Sequence, residues 1–260
     1  GNYRGAAEAY RQAMAGAGKR LQDTCLFNAG CSFYRAGDYT EAAKAFSGLT
    51  EGQGALAADA GLNLGCAEFQ LAGQADKMGT NCPADFKPEH LKKAGRAFQS
   101  ALRSRPGFET AAASLAVVTN SLPAALTEAR IRKLMEQHGQ TPPGRLADML
   151  LEGQRGIVRD LDREATNAAP SRIDRFEGLA GRQRDCADLI VPLRAALSAA
   201  AGDQRQQQQA AQVAGGLDGI EKTMNESREL LRNIDNAAVR SAKAAERGIY
   251  PVWKAIADYG

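Results

Sequence analysis

The sequence predicts an all-α protein: a solenoid of short helical hairpins followed by a helical bundle or antiparallel coiled coil. Three observations carry this. Matching segments recur 35 residues apart in the first half, and apolar stripes with three/four spacing run through the second. Alanine, the residue that costs least to place in a helix, is abundant, while aromatics make up only 6%. With 44% hydrophobic and 24% charged residues, 260 residues suffice for two ordinary domains, each with its own core.

The first full hairpin lies in residues 26–46, as Leu26-x2-Ala29-Gly30-x2-Phe33 and then Ala42-x3-Phe46. Between its two helices sits Arg35-Ala36-Gly37-Asp38-Tyr39, a glycine-containing turn followed by an aromatic that opens the second helix. A second copy begins with Asn63-Leu64-Gly65-Cys66-Ala67, aligned with Asn28-Ala29-Gly30-Cys31-Ser32, and continues as Ala94-x3-Phe98 with Pro106 closing it. Gly65 to Ala94 is seventeen residues longer than Gly30 to Ala42. The excess falls in Gln74–His90, whose Gly79, Pro83 and Pro88 predict an inserted loop, 74–90. Tyr3, Ala6 and Tyr10 match Tyr39, Ala42 and Phe46, so the chain opens on a second helix, as a fragment of a longer protein would. Phe108–Asn120 reads as a further first helix, and Leu122–Gln137, after Leu122-Pro123, as its partner or a cap.

These spacings resemble the tetratricopeptide repeat, in which small residues let paired helices approach closely and aromatics fill the space between hairpins. The resemblance implies a stack of hairpins with a concave surface lined by the first helix of each. By register, Phe27, Asn28, Cys31, Tyr34 and Arg35 line it in one repeat, and Leu62, Asn63, Cys66, Phe69 and Gln70 in the next. Asparagine amides can hold a peptide backbone by donor and acceptor together, and flat aromatic rings supply apolar contact.

Thr141-Pro142-Pro143-Gly144 marks the boundary between a repeat domain, 1–140, and a second domain, 141–260. Three stripes follow: Leu146 to Ala165, Ile173 to Leu197, and Leu217, Ile220, Met224, Ser227, Leu231, Ile234, Ala238, Ser241, Ala245. They predict a three-helix bundle or antiparallel coiled coil. Pro170-Ser171 and Ala201-Gly202-Asp203 are the expected turns, with Ser171 and Asp203 as N-caps. Pro192 should kink or break the second helix. Tyr250-Pro251-Val252-Trp253 should pack at the bundle end.

The remaining chemistry is sparse. The net charge is +3, with 16 Lys/Arg against 13 Asp/Glu in residues 1–140 and 17 against 17 beyond, so neither half has the basic field that nucleic acid requires. Nucleophile-elbow, P-loop, zinc-protease and dinucleotide fingerprints are missing, so neither an enzyme nor a cofactor is expected. Asp160/Asp162 and Asp185/Asp188 have arginine neighbours and read as ion-paired helix faces. Five cysteines (Cys25, Cys31, Cys66, Cys82, Cys186) without a CxxC pair, and only His90 and His138, predict no metal site. Cys82, in the expected loop, is the thiol expected to be exposed. No apolar run approaches the roughly 18–20 residues of a bilayer span.

Phe27-Asn28-Ala29-Gly30-Cys31-Ser32-Phe33-Tyr34-Arg35-Ala36-Gly37-Asp38-Tyr39, with the ending Thr110–Leu122, resembles the bacterial aerotolerance (Bat-type) tetratricopeptide proteins. That resemblance implies a membrane-associated, often periplasmic complex, with von Willebrand A-type membrane proteins and a MoxR-like ATPase as neighbours; the residues themselves leave a cytoplasmic location open. The expected function is non-catalytic: a scaffold that binds a protein or peptide segment in the groove. The alternative is a self-assembly module, a homo-oligomer formed through the bundle with the groove idle.

Overall fold

The computed structural model describes residues 1–52, 54–165 and 172–257, and every regular element in them is helical. The chain divides into two compact units, Gly1–Arg130 and Ile131–Gly260.

The first unit contains α1 (Tyr3–Ala13), α2 (Lys19–Arg35), α3 (Tyr39–Ser47), α4 (Ala55–Met78), α5 (Phe86–Ser104) and most of α6 (Glu109–His138). Gly37 turns α2 into α3 with φ +78°, a left-handed conformation that glycine adopts without a Cβ clash, and Asp38 caps α3 by accepting from the Glu41 amide. The α2/α3 and α4/α5 hairpins share one packing device. A Cβ on Gly30 would lie 2.7 Å from the Phe46 ring, and one on Gly65 would lie 2.3 Å from the Phe98 ring. Both phenylalanines are fully buried. At the open end of the second hairpin, Arg105 donates to Asp59 at 2.9 Å and to the Ala55 carbonyl at 3.2 Å, tying the end of α5 to the start of α4.

The seventeen extra residues do not form the expected loop over 74–90. α4 runs on to Met78, α5 begins at Phe86, and a short 3-10 turn, Gly79–Asn81, lies between them. Helix extension satisfies backbone groups that a long loop would leave to water. Pro88 fits because it sits in the first turn of α5, where its missing N–H would have no intrahelical acceptor. Cys82 is accordingly buried, not exposed, with its thiol against the Pro83 carbonyl at 3.5 Å.

Two other expectations in this unit change. In α1 the buried residue is Ala7, while Tyr3 and Tyr10 are exposed, so the match to α3 does not extend to the packed face. α6 does not break at Leu122-Pro123; it continues through Pro123 to His138. Ala111, Val118 and Ala125 recur every seven residues on its buried face, and burial of that stripe favours one continuous helix. By length and mean hydropathy α6 is also the described helix that could cross a membrane, although no single apolar run suggests it.

The second unit is a four-helix bundle, not a three-helix one. α7 (Pro143–Ala165), α8 (Arg172–Asp188) continued by α9 (Ile190–Ala200), α10 (Gln204–Arg232) and α11 (Ala237–Ala257) form the bundle. Each leg packs on its chain neighbours, and α11 closes the ring on α7. The third stripe had been one helix by spacing. It splits because Ile234, in a turn at φ +56° and over a third exposed, is not a core residue. The helix folds back there, bringing Ser227 to the Ala238 carbonyl (3.4 Å) and Ser241 to the Thr223 carbonyl (3.1 Å). Ile173 is likewise exposed. The second stripe breaks at Leu189, three residues before Pro192. Pro143 opens α7, so the Pro-rich break is the turn from α6 into that helix. Asp203 caps α10 in a reciprocal box with Gln206, whereas the Pro170-Ser171 turn and the Ser171 cap lie outside the described residues. Trp253 donates to Asp148 at 2.7 Å, and Pro251 is accommodated within α11.

Inside this apolar core Gln154 and Gln183 are fully buried and exchange amide hydrogen bonds at 3.3 and 2.8 Å, with Gln154 also donating to the Ala242 carbonyl at 3.0 Å. Three helices are thereby joined at one level.

Two predictions follow from the packing. An exposed helical Gly→Ala change stabilises by up to ~1 kcal/mol, but Gly65→Ala should cost about 1–3 kcal/mol because its methyl overpacks Phe98; thermal melts of G65A against G73A, whose Cβ meets open space, check the difference. Gln154→Leu should cost about 1–3 kcal/mol by leaving the Gln183 amide buried without its partner, while Gln154→Leu with Gln183→Leu should recover most of that in denaturant titrations.

Candidate functional site

α2, α4 and α6 bring together a concave site. α2 supplies Tyr34, α4 supplies Cys66, Phe69 and Gln70, and α6 supplies Ser114 and Val117; Phe98 closes the back of a cavity of about 240 Å³. Phe69 and Val117 are exposed to solvent at 36% and 52%, high for apolar side chains at the mouth of a cavity. Tyr34 is half-buried and stacks edge-on against Tyr39, with ring centroids 5.2 Å apart. Burial raises its hydroxyl pKa, as does the neighbouring Cys66 thiol, and a hydrogen bond with Gln70 acts in the opposite sense.

The predicted groove residues therefore separate into three groups. Tyr34, Cys66, Phe69 and Gln70 converge. Cys31 and Asn63 meet each other instead, the Asn63 amide donating to the Cys31 sulfur at 3.8 Å and linking α2 to α4. Phe27 and Leu62 do not line the groove. Phe27 meets Phe46 at 5.6 Å, and Leu62 packs in the apolar cluster of Leu91, Phe98 and Val118. Each lies three residues before its hairpin glycine, on the face turned to the partner helix. Asn28 is half-buried on α2 outside the cavity lining, and Arg35 is exposed in the last turn of α2. Ser114 and Val117 were not foreseen. The visible signal was their place beside the packing residues Leu115 and Val118.

Glu68 and His90 were also missed, because their pairing depends on α4 and α5 lying side by side. Their side chains are 12% and 15% exposed, with Nδ1 2.5 Å from Oε2, and the His90 ring packs on Phe86 at 4.4 Å. The carboxylate pairs singled out by sequence are engaged on the surface: Asp160 with Arg182, Asp162 with Lys243, and Asp185 with Arg184. Among the described residues no three His, Cys, Asp or Glu side chains converge as a metal ion needs.

Three thiols, Cys31, Cys66 and Cys186, are held neutral. Burial raises the pKa of Cys66 and Cys31, with Arg35 partly opposing the shift at Cys31. Cys186, donating to the Leu150 carbonyl at 3.4 Å, is pushed by burial from 9.0 to about 12. A thiol that stays protonated in the folded chain is a packing group, not a nucleophile.

No family model, curated protein or solved structure matches the chain.

The thiol shifts carry a pH dependence. Above about pH 9 the unfolded chain loses protons that folded Cys186 keeps until about pH 12, so stability is full below the lower value and falls between the two. Denaturation at stepped pH should show Cys186→Ala flattening this decline, by up to ~1.4 kcal/mol per pH unit.

Proposed function

We propose that the protein is a non-catalytic scaffold of tetratricopeptide type that docks an extended segment of a partner protein in the groove formed by α2, α4 and α6. The observation that carries this reading is the convergence of Tyr34, Phe69 and Val117 with the Gln70 amide at one concave surface made by α2, α4 and α6. Exposed aromatic and aliphatic side chains in a cavity gain by excluding water against another apolar surface, and an amide supplies both a donor and an acceptor for a peptide backbone. The repeat assignment is supported by the same glycine–phenylalanine contact in both hairpins, with the two glycines 35 residues apart. The resemblance to Bat-type proteins carries the finer proposal of a membrane-associated bacterial complex in which von Willebrand A-type proteins are partners.

The test is capture by the immobilised full chain of partners from its own cells, with a photo-crosslinking residue placed at Phe69. Phe69→Glu with Val117→Glu should reduce capture by about tenfold or more, the loss of ~1.4 kcal/mol or more typical of a central apolar contact. Both side chains are partly solvated, so circular dichroism should be unchanged. Capture at full strength by the double variant would refute the groove as the binding surface.

A further inference from the structure

A second surface of the first unit is larger than the groove and differs from it in charge. α3 and α5 both pack on α4, and a trough of about 710 Å³ lies between them with α4 as its floor. The floor runs along α4 from Leu64 through Leu71 to Met78, fourteen residue steps, or roughly 21 Å at the helical rise. That is long and open for a compact small molecule and matches about six residues of extended chain or four turns of helix.

Its charge is one-sided. Lys44, Lys93 and Arg96 are its cationic lining residues and Glu68 its acidic one. Glu68 is turned inward and taken by His90. Lys44 leans on Glu41, which Arg11 also engages at 2.5 Å. Lys93 and Arg96, one turn apart on α5, are exposed and form no ion pair among the described residues. An apolar floor edged by uncompensated cations is complementary to a chain with apolar side chains on one face and carboxylates on the other. A nucleic-acid backbone has no apolar face to cover Leu71 and Met78, and the trough's rings, His90 and Phe86, pack on each other, leaving no stacking platform for bases.

We propose that the α3/α5 trough docks an acidic amphipathic segment of a partner protein, with its apolar face on α4 and its carboxylates on Lys93 and Arg96. This surface is separate from the groove and does not depend on it.

The experiment is a fluorescence-anisotropy titration of the full chain with a labelled helical peptide of about fourteen residues, the trough length. The peptide carries leucine on one face and glutamate on the other; a matched peptide has lysine for glutamate, and a single-stranded oligonucleotide serves as competitor. The acidic peptide should bind saturably and weaken with added salt. Lys93→Glu with Arg96→Glu should weaken it at least about tenfold by reversing two rim charges, with the circular dichroism unchanged. Phe69→Glu with Val117→Glu should leave this affinity unaltered, which separates the trough from the groove. The proposal is overturned if the acidic peptide does not saturate, if the lysine peptide binds equally well, if the double charge reversal changes affinity less than twofold, if the oligonucleotide displaces the peptide, or if the groove variant abolishes binding.

Discussion

The contact between a glycine on one helix and a phenylalanine ring on the next governs the first unit. At Gly30 and Gly65 the missing side chain leaves a socket that Phe46 and Phe98 fill, and nothing larger than hydrogen fits beside either ring. Burying such a ring contributes about 1.5–3 kcal/mol, and the close approach adds dispersion contacts along both helices. The same contact orients the helices. With positions 27, 30, 62 and 65 committed to the hairpin interior, Tyr34, Phe69 and Gln70, a turn or more further along α2 and α4, are left to line the groove. The groove thus depends on hairpin packing, and the ring of one socket, Phe98, forms its back.

The second unit solves a different packing problem. Its legs are longer and its core is aliphatic, with Leu146, Leu150, Ile190, Leu193, Leu217, Met224 and Leu231 fully buried. Aliphatic cores of this kind tolerate sliding, since one leucine replaces another with little loss. The Gln154–Gln183 pair does not tolerate it. Its reciprocal hydrogen bonds are made at one alignment of α7 and α8, and at any other alignment two amides would be buried unsatisfied. The donation to the Ala242 carbonyl extends the constraint to α11.

The first unit presents two surfaces of contrasting chemistry. The groove is neutral, with two hydroxyls, an amide and the Cys66 thiol, which burial holds protonated, among its apolar side chains. The trough is basic, because its one acidic lining residue is consumed by His90 while Lys93 and Arg96 stay free for a ligand. Lengthening α4 and α5 by the inserted residues creates the second surface. Met78, Phe86 and His90 lie in or beside the extension, and a hairpin the length of α2/α3 would end short of them.

The residues by themselves determined the helical class, the register of the two hairpins, the turn at Gly37, the cap at Asp203 and the break near Pro192. Each of these rests on interactions within a few positions, or on a periodicity that survives without knowledge of partners. They also placed Tyr34, Cys66, Phe69 and Gln70 on a common face. Tertiary structure decided the rest. Three-residue spacing continues through Ile234, so only the fold-back against α7 distinguishes one long helix from two. Gly79, Pro83 and Pro88 signal irregular backbone but not its length, and packing of α4 on α5 extended the helices around them. Phe27 and Leu62 carry groove-like chemistry, yet burial against Phe46 and beside Phe98 claims them. Glu68 and His90 stand 22 residues apart, a separation at which sequence holds no pairing signal, and they meet only because two antiparallel helices place them side by side.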